Sequence, residues 1–499
     1  MAKLDVLLIN APAKKRAYQG LADELAAFEP PIWIALIAEF FRSRGYQVGV
    51  LDAEAELLTM EQTAQAVVDR DPLLAAYVVY GQHPSASSQC MPAATECLAL
   101  VETLRPKMHS LFMGTHLAAL PKETMEQVPV EFVCDGEGPF TIQGVIDALK
   151  STSPDFSKIK GLWFRDAFGK PVNPAGPEAN IENLDEVFPS MAWDLLPMDR
   201  YKAHNWHCWD HINDRKPYAS LYTSLGCPYK CSFCCINAPF GSPSIRYFSP
   251  EWVIKQIDIL VKEYGVKNIK IADEMFVLNR KHVLGICDLI IERGYDLNIW
   301  AYARIDTVSS GLLEPMKKAG INWLALGIEA SSKHVRSSVD KGRFTDEKII
   351  DTVRKIEAAG IYTVGNYIFG LPEDDLASMQ ETLDLAIELN TEWANFYCTM
   401  AYPGSQLHKL ARQEGQMLPE SEGGPGLIGY SQLAYDAFPL STNKLQAGQV
   451  LTFRDQAFDI YFKNPKFLAM MERKFGQEVV DHVHEMCTHQ LKRRYAEPL

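Results

Sequence analysis

The stretch "TSLGCPYKCSFCCINAPFG", residues 223–241, holds four of the chain's 11 cysteines within nine consecutive positions: Cys227, Cys231, Cys234 and Cys235. The first three have the spacing C-x3-C-x2-C. A structural zinc site needs four ligands, usually as two separated pairs. Three thiolates on one tight loop suit instead three irons of a [4Fe–4S] cubane, leaving the fourth iron open to chelate a small ligand such as an amino acid. Gly226 and Pro228 permit a sharp turn after a strand, and Lys230 brings positive charge near an anionic cluster. Phe233, between the last two ligands, has the aromatic character to cover a base such as adenine. Cys235 breaks the spacing and reads as a small buried residue pointing away.

Downstream, short apolar runs alternate with helical patterns. From "YASLYTSLG" (218–226) they continue through "NIKIADE" (268–274), "LNIWAYARID" (297–306), "WLALGIEA" (323–330), "YTVGNYIFGLP" (362–372) and "WANFYCTMAYP" (393–403). Six strand–helix units fall short of the eight of a closed TIM barrel, so a partial (β/α)6 barrel is expected over residues 217–410. Residues 411–499 carry the Gly/Pro-rich "ESEGGPGLIGY" and then amphipathic helical stretches, read as a helical C-terminal capping region.

Upstream, residues 1–150 alternate in the same way. "LDVLLIN" (4–10), "QVGVLDAE" (47–54), "LAAYVVYG" (74–81), "SLFMGTH" (110–116) and "VEFVCDGEGPF" (130–140) are separated by helical patterns. This implies an α/β domain with a five-stranded, Rossmann-like, doubly wound parallel sheet. Ligands of such sheets sit beyond the carboxyl ends of the strands. That edge carries Asn10, Asp52, Gly81-Gln82-His83, Gly114-Thr115-His116 and Asp135-Gly136-Glu137-Gly138. Residues 151–216 are proline-rich and read as an interdomain connector. Its "HNWHCWDH" would put His204, His207, Cys208 and His211 on one helix face, open to a zinc site, a cavity lining or plain packing.

The composition is that of a globular enzyme, 47% hydrophobic and 22% charged. With 63 acidic against 49 basic residues the net charge is −14, which argues against nonspecific binding to nucleic acid or anionic membranes. Apolar runs stop short of the roughly 18 residues of a spanning helix. The start "MAKLDVLLINAPAKK" reads as a strand and loop rather than a leader. An odd number of mostly scattered cysteines points to a reducing cytoplasm without disulfides.

"CPYKCSFC", following a strand and opening a six-unit barrel, resembles the signature of the radical S-adenosylmethionine (SAM) superfamily. The resemblance implies that Cys227, Cys231 and Cys234 ligate the cluster and that "IADEMF" (271–276) holds the SAM amino group through Asp273 and Glu274. Arg304 of "AYARID" would meet the SAM carboxylate or ribose, and Glu329 of "ALGIEAS" the ribose or amino group. In "GNYIFGLPED" the backbone around Ile368 and Gly370 would read the adenine, and "YPGS" (402–405) closes the pattern.

"PPIWIALIAEFFRSRGYQVGVLDAE" and "FMGTHLAALPKETMEQVPVEFVCDGEGPFTI" resemble the cobalamin-binding domain fused to many radical SAM enzymes. That makes Asn10, Gly81, Gln82, His83, Gly114, Thr115, His116, Gly136, Glu137 and Gly138 candidate cobalamin contacts. One departure matters. Where cobalamin mutases carry Asp-x-His-x-x-Gly after the first strand, this chain has "NAPAKKRAYQG", with no histidine for cobalt. The lower face of the metal is then expected to be free of that ligand, with Tyr80, Gln82 and His83 the residues able to approach it.

The resemblance implies a cobalamin-dependent radical SAM C-methyltransferase. One SAM would yield the 5′-deoxyadenosyl radical that takes hydrogen from an unactivated carbon, methylcobalamin would give the methyl group, and a second SAM would restore it. The alternative is a cyclase or rearrangement catalyst of the same type. A methylthiotransferase-like modifier would need three further front-domain cysteines for a second cluster; here Cys90 and Cys97 lie close together on one helical pattern and only Cys134 is apart. A non-enzymatic binder would have no use for the SAM-type strand ends. The implied partners are a small-molecule, lipid, tetrapyrrole or peptide substrate and an electron donor such as flavodoxin or ferredoxin.

Overall fold

Two parallel sheets carry the chain, each built from the apolar runs that alternate with amphipathic helices; the computed structural model describes residues 3–21, 25–81, 84–342 and 344–499. Gln82 and His83 lie outside the described residues. The front sheet begins with β1 (Val6–Asn10), β2 (Val48–Asp52), β3 (Leu74–Val78), β4 (Ser110–Met113) and β5 (Phe132–Cys134). These run parallel in the order β2-β1-β3-β4-β5. The central strands β3 and β4 are buried along their whole length, as expected of strands covered on both faces. Helices Ile32–Ser43 and Pro139–Lys150 share one core, and Met60–Arg70 and Ser87–Leu104 share the other. The strand order reverses between β1 and β3, so the ligand crevice opens beyond their carboxyl ends.

Two further strands extend this sheet past the expected five. β6 (Leu162–Arg165) and β7 (Pro171–Val172) add antiparallel beside β5. They are short, and the second opens on a proline, which is why a proline-rich connector concealed them. Asp135 anchors the hairpin by accepting from Trp163 Nε1 at 2.8 Å and Asn173 Nδ2 at 3.0 Å.

The "HNWHCWDH" stretch forms a distorted 3-10 segment, Trp206–His211, with Cys208 non-helical at φ −112° and ψ 24°. The expected single helix face is therefore absent. Trp206 packs edge-on against Trp300 and Trp323, and Trp209 against Trp393, plugging the amino end of the second sheet. His207 Nε2 lies 3.0 Å from the Asn298 carbonyl, and His204 turns instead to Glu29 at 3.6 Å.

The second sheet follows. β8 (Tyr218–Leu221) precedes a small antiparallel pair, β9 (Ser224–Leu225) and β10 (Arg246–Tyr247). Then come β11 (Asn268–Ile271), β12 (Asn298–Arg304), β13 (Ile321–Glu329), β14 (Tyr362–Phe369) and β15 (Trp393–Cys398). The six long strands are all parallel in the order β8-β11-β12-β13-β14-β15, the expected partial barrel. Ser249, Asn279, Thr345 and Asp375 cap the following helices through side-chain oxygens, which explains where each helix begins.

Helices Ala447–Phe462, Pro465–Phe475 and Gln477–Met486 form the C-terminal region. Phe453 meets Phe369 of β14, and Phe462 meets Trp393 of β15, fixing these helices to the last strands. Gln19 of the front domain bonds the carbonyls of Leu433 at 2.7 Å and Lys492 at 3.2 Å, so the tail also ties back across the molecule. Among the described residues no helix is long and apolar enough to cross a membrane.

Candidate functional site

The carboxyl edges of the two sheets abut. Trp33 stacks on Tyr80, just after β3, at 5.1 Å and meets Tyr222, just after β8, at 6.3 Å. Glu137 Oε2 accepts from Arg246 Nη1 at 2.8 Å and from the Ile181 amide at 2.6 Å, bridging the front sheet to the loop below the cysteines.

The cysteine loop is shaped by backbone constraints. Gly226 has φ +88°, and a Cβ there would lie 2.5 Å from the Ser244 carbonyl, so only glycine fits. Asn237 closes the loop: its Oδ1 accepts the Cys227 amide at 3.2 Å while its Nδ2 donates to the Cys227 carbonyl at 3.0 Å and the Tyr229 carbonyl at 3.4 Å. The Ser232 amide donates to the Val339 carbonyl, and the Leu407 amide donates to the Ser232 carbonyl, clamping the loop from two sides.

All 11 cysteines are free thiols. Burial pushes Cys227 up to about 11 and Cys235 up to about 12, so these thiols keep their protons unless a metal takes them. Cys227, Cys231 and Cys234 share one short loop. The donor set fits a cubane better than zinc. Cys234 is exposed and Cys231 half-exposed, whereas Cys235 is buried beside Gly404. Arg304 Nη1 lies 3.6 Å from Cys231 Sγ, and its guanidinium sits 3.9 Å over the Tyr229 ring.

The strand ends opposite this loop carry the other candidates. Asp273 accepts from the Thr223 amide, Thr223 Oγ1 and Ser224 Oγ, all at 2.6 Å, so it braces the strand leading into the loop. Burial still raises it to about 6. Glu274 differs: burial raises it to about 7, yet part of its surface stays accessible. Tyr302 and Tyr397 combine partial accessibility with raised values from burial in the same way. Glu329 follows a register shift against β14, has φ +66°, and lies 2.5 Å from Lys341 Nζ. Phe233 and Ile368 pack against one small cluster that includes Ala330, Val335 and Leu371. Gly370 has φ +77° and lies against Val450 of the C-terminal helices.

At the front edge, Asn10 Nδ2 donates to Asp52 at 2.8 Å, and Tyr201 donates to the other Asp52 oxygen at 2.7 Å. Gly81 has φ +73° and is exposed. Gly114 lies so close to the Val79 carbonyl that a Cβ would fall 2.1 Å from it. His116 Nδ1 lies 2.9 Å from Ser88 Oγ, and burial lowers it to about 4, keeping it neutral. Gly136 and Gly138 flank the Glu137 bridge. Among the described residues four buried atoms at this edge, Thr115 Oγ1, the Tyr80 hydroxyl, Asp135 Oδ1 and Glu137 Oε1, have no hydrogen-bond partner. Buried polar groups are rarely left so, and a ligand rich in amides such as cobalamin would satisfy them.

Sequence reasoning missed three features. Asn237 is an ordinary loop residue by sequence, Lys341 gave no signal, and neither did a buried ion pair between Lys270 and Glu29 at 2.8 Å. That pair joins β11 to the front domain; Lys270 also sits 5.1 Å from the Trp300 ring, and the Tyr218 hydroxyl lies 3.5 Å from Glu29.

Comparison with known proteins agrees with this arrangement. Residues 221–386 match the Radical SAM superfamily, and residues 18–146 match the B12 binding domain. An uncharacterized methyltransferase of Pyrococcus horikoshii is 30% identical over 412 residues, covering 82% of this chain and 84% of that protein. An anaerobic magnesium-protoporphyrin IX monomethyl ester cyclase of Rubrivivax gelatinosus is 25% identical over 397 residues, covering 78% and 68%. The solved structure of the cobalamin-dependent SAM radical enzyme OxsB, with aqua-cobalamin and SAM bound, superposes with a TM-score of 0.68 at 17% identity. It covers 97% of this chain and 71% of OxsB, and shares its fold.

Proposed function

This chain belongs to the branch of the radical SAM superfamily that carries a B12-binding domain, and from that premise we propose that it is a C-methyltransferase acting on an unactivated carbon. The family's cofactors are a [4Fe–4S] cluster, SAM and cobalamin, which when bound supply a hydrogen-abstracting radical and a methyl group.

The chain's own residues then hold, orient and shield. Cys227, Cys231 and Cys234 would hold the cluster as thiolates. Glu274 and Glu329 would meet the positive end of SAM, and Phe233 and Ile368, which pack against one apolar cluster, would flank its adenine beside the Gly370 backbone. Asp273 positions the strand behind the loop. Thr115 and Tyr80, whose buried hydroxyls find no partner among the described residues, and the glycine turns at Gly81, Gly114, Gly136 and Gly138 would receive cobalamin at the front edge. We assign these tasks to a front domain of residues 1–150, whose sheet the β6–β7 hairpin of the connector extends, and a barrel of residues 217–410, with 151–216 joining them and 411–499 closing the far side.

The observation that carries the reading is the apposition of two ligand edges: a three-thiol loop beyond one sheet, and buried unsatisfied groups beyond the other. A radical made at one edge reaches a substrate held against the other only if both share a chamber closed to water. Methyl transfer is preferred over cyclisation because the relative that is 30% identical bears a methyltransferase name, against 25% for the cyclase. That cyclase carries the second reading. The substrate class stays as broad as small molecule, lipid, tetrapyrrole or peptide, and a cytoplasmic flavodoxin or ferredoxin is the proposed reductant.

The test is anaerobic reconstitution with iron, sulfide and cobalamin, then incubation with SAM and a reductant. A methyltransferase forms S-adenosylhomocysteine as well as 5′-deoxyadenosine. The cyclase reading gives 5′-deoxyadenosine alone, and intact SAM rejects both.

A further inference from the structure

The carboxyl ends of β12, β13, β14 and β15 share one pattern of exposure. The inward residues Tyr302, Gly327, Ile368 and Tyr397 are half-exposed, while the outward residues on either side of each are buried. Asn395, one step deeper on β15, repeats the pattern between buried Ala394 and Phe396. The direction is set by packing: Phe369 and Phe396 turn outward onto Phe453 and Tyr461 of the C-terminal helices, and Tyr302 meets the Trp300 ring inside. A closed (β/α)8 barrel is packed solid within. Here the inner face is accessible at the carboxyl end, so the barrel holds a chamber above its tryptophan plug.

The SAM reading uses the ends of β11, β13 and β14 and leaves Tyr302, Asn395 and Tyr397 without a task. Among the described residues neither tyrosine hydroxyl makes a hydrogen bond. Burial raises Tyr302, and the nearby Tyr397, Glu274 and Glu29 add to the rise. Burial raises Tyr397 to about 12, with Glu329 adding. Both phenols therefore keep their protons at neutral pH and can donate. Asn395 is held in one orientation, because Trp393 Nε1 can only donate and meets its Oδ1 at 2.8 Å. Its Nδ2 gives one hydrogen to Asn366 Oδ1 at 2.9 Å and keeps the other for a ligand. The cations around this space are each held by a carboxylate: Lys270 by Glu29, Lys341 by Glu329 and Arg304 by Asp306.

We propose that Tyr302, Asn395 and Tyr397 form the substrate subsite of the barrel, and that they take an uncharged, flat ring through a carbonyl or hydroxyl oxygen rather than a phosphate or carboxylate. Three neutral donors suit such an oxygen, and the two phenol rings suit a flat face. An anion would meet Glu274 with every neighbouring cation already engaged, and a buried charge without a partner is costly. This inference deepens the proposed function and rests on the chain being a radical SAM enzyme.

The test measures binding of matched probes to the reconstituted, SAM-loaded protein by saturation-transfer nuclear magnetic resonance. The probes are benzamide, phenylacetamide and indole-3-acetamide, each against its own carboxylate. The wild type is expected to bind each amide about 5-fold or more tighter than the carboxylate. Tyr302→Phe combined with Tyr397→Phe should weaken the amides about 10-fold, as for two lost hydrogen bonds, and leave SAM affinity within about 2-fold. If the double variant loses SAM as well, the two single variants decide, each expected to weaken the amides about 3-fold with SAM affinity kept. Carboxylates bound as tightly as amides, no probe bound to the SAM-loaded wild type, or amide affinity unchanged in the variants overturns the subsite. Failure of the wild type to bind SAM overturns the radical SAM reading itself.

Discussion

Replacing Lys270 by Met removes one half of the ion pair that joins β11 to the front domain. Both side chains are about 4% exposed and 2.8 Å apart. Burial alone would raise the Glu29 carboxyl, yet Lys270 and His204 outweigh it and hold it down at about 2. Lys270→Met leaves Glu29 with His204 at 3.6 Å and the Tyr218 hydroxyl at 3.5 Å, neither of them a full compensating charge. Removing one partner of a buried pair costs about 3–5 kcal/mol, because a charge is left without compensation. If the barrel, roughly 200 residues, melts as a unit, that is about 7–12 °C in Tm. The double variant Lys270→Met with Glu29→Gln removes both charges and should recover most of the loss, giving a coupling of about 2 kcal/mol or more. Calorimetry of the four proteins completes the cycle. A Lys270→Met Tm within about 2 °C of wild type, or strict additivity in the double variant, would refute the assignment of this pair as a buried clamp between domains.

Other outcomes follow from single residues. Burial, with His204 nearby, lowers His207 to about 3, so the unfolded chain binds the extra proton between about pH 3 and 6.5 and stability rises with pH there. His207→Gln should flatten that rise by up to about 1.4 kcal/mol per pH unit, read as the Tm difference from wild type between pH 4 and 6. Asn237→Ala deletes three bonds that close the cysteine loop, and should lower reconstituted iron content with little change in far-UV circular dichroism. Gly226→Ala forces a Cβ to 2.5 Å from the Ser244 carbonyl and should lower it further.

Much of the fold is legible in the sequence because apolar runs such as "LLIN", "AAYVV" and "WLALGIEA" admit one reading: strands covered on both faces. The loop at residues 227–234 is legible because metal ligation constrains spacing more tightly than packing does. The β6–β7 hairpin escapes since four residues and two residues, the latter opening on Pro171, carry no periodicity to detect. Lys270, Glu29 and Lys341 escape for another reason. A single charged residue reads as surface until the fold shows what lies opposite, and their partners are 241 and 12 residues away in sequence. The "HNWHCWDH" stretch misleads because its histidines fit a helix face that the backbone at Cys208 does not form.

The central claim is that three cysteines hold a cluster whose fourth iron receives SAM. The most direct measurement is the electron paramagnetic resonance spectrum of the reduced, reconstituted protein with and without SAM, in wild type, Cys235→Ala and Cys231→Ala. We expect a [4Fe–4S] signal that changes on adding SAM in wild type and Cys235→Ala alike, and no such signal in Cys231→Ala. A signal insensitive to SAM in the wild type, or one lost with Cys235 and kept without Cys231, would contradict it.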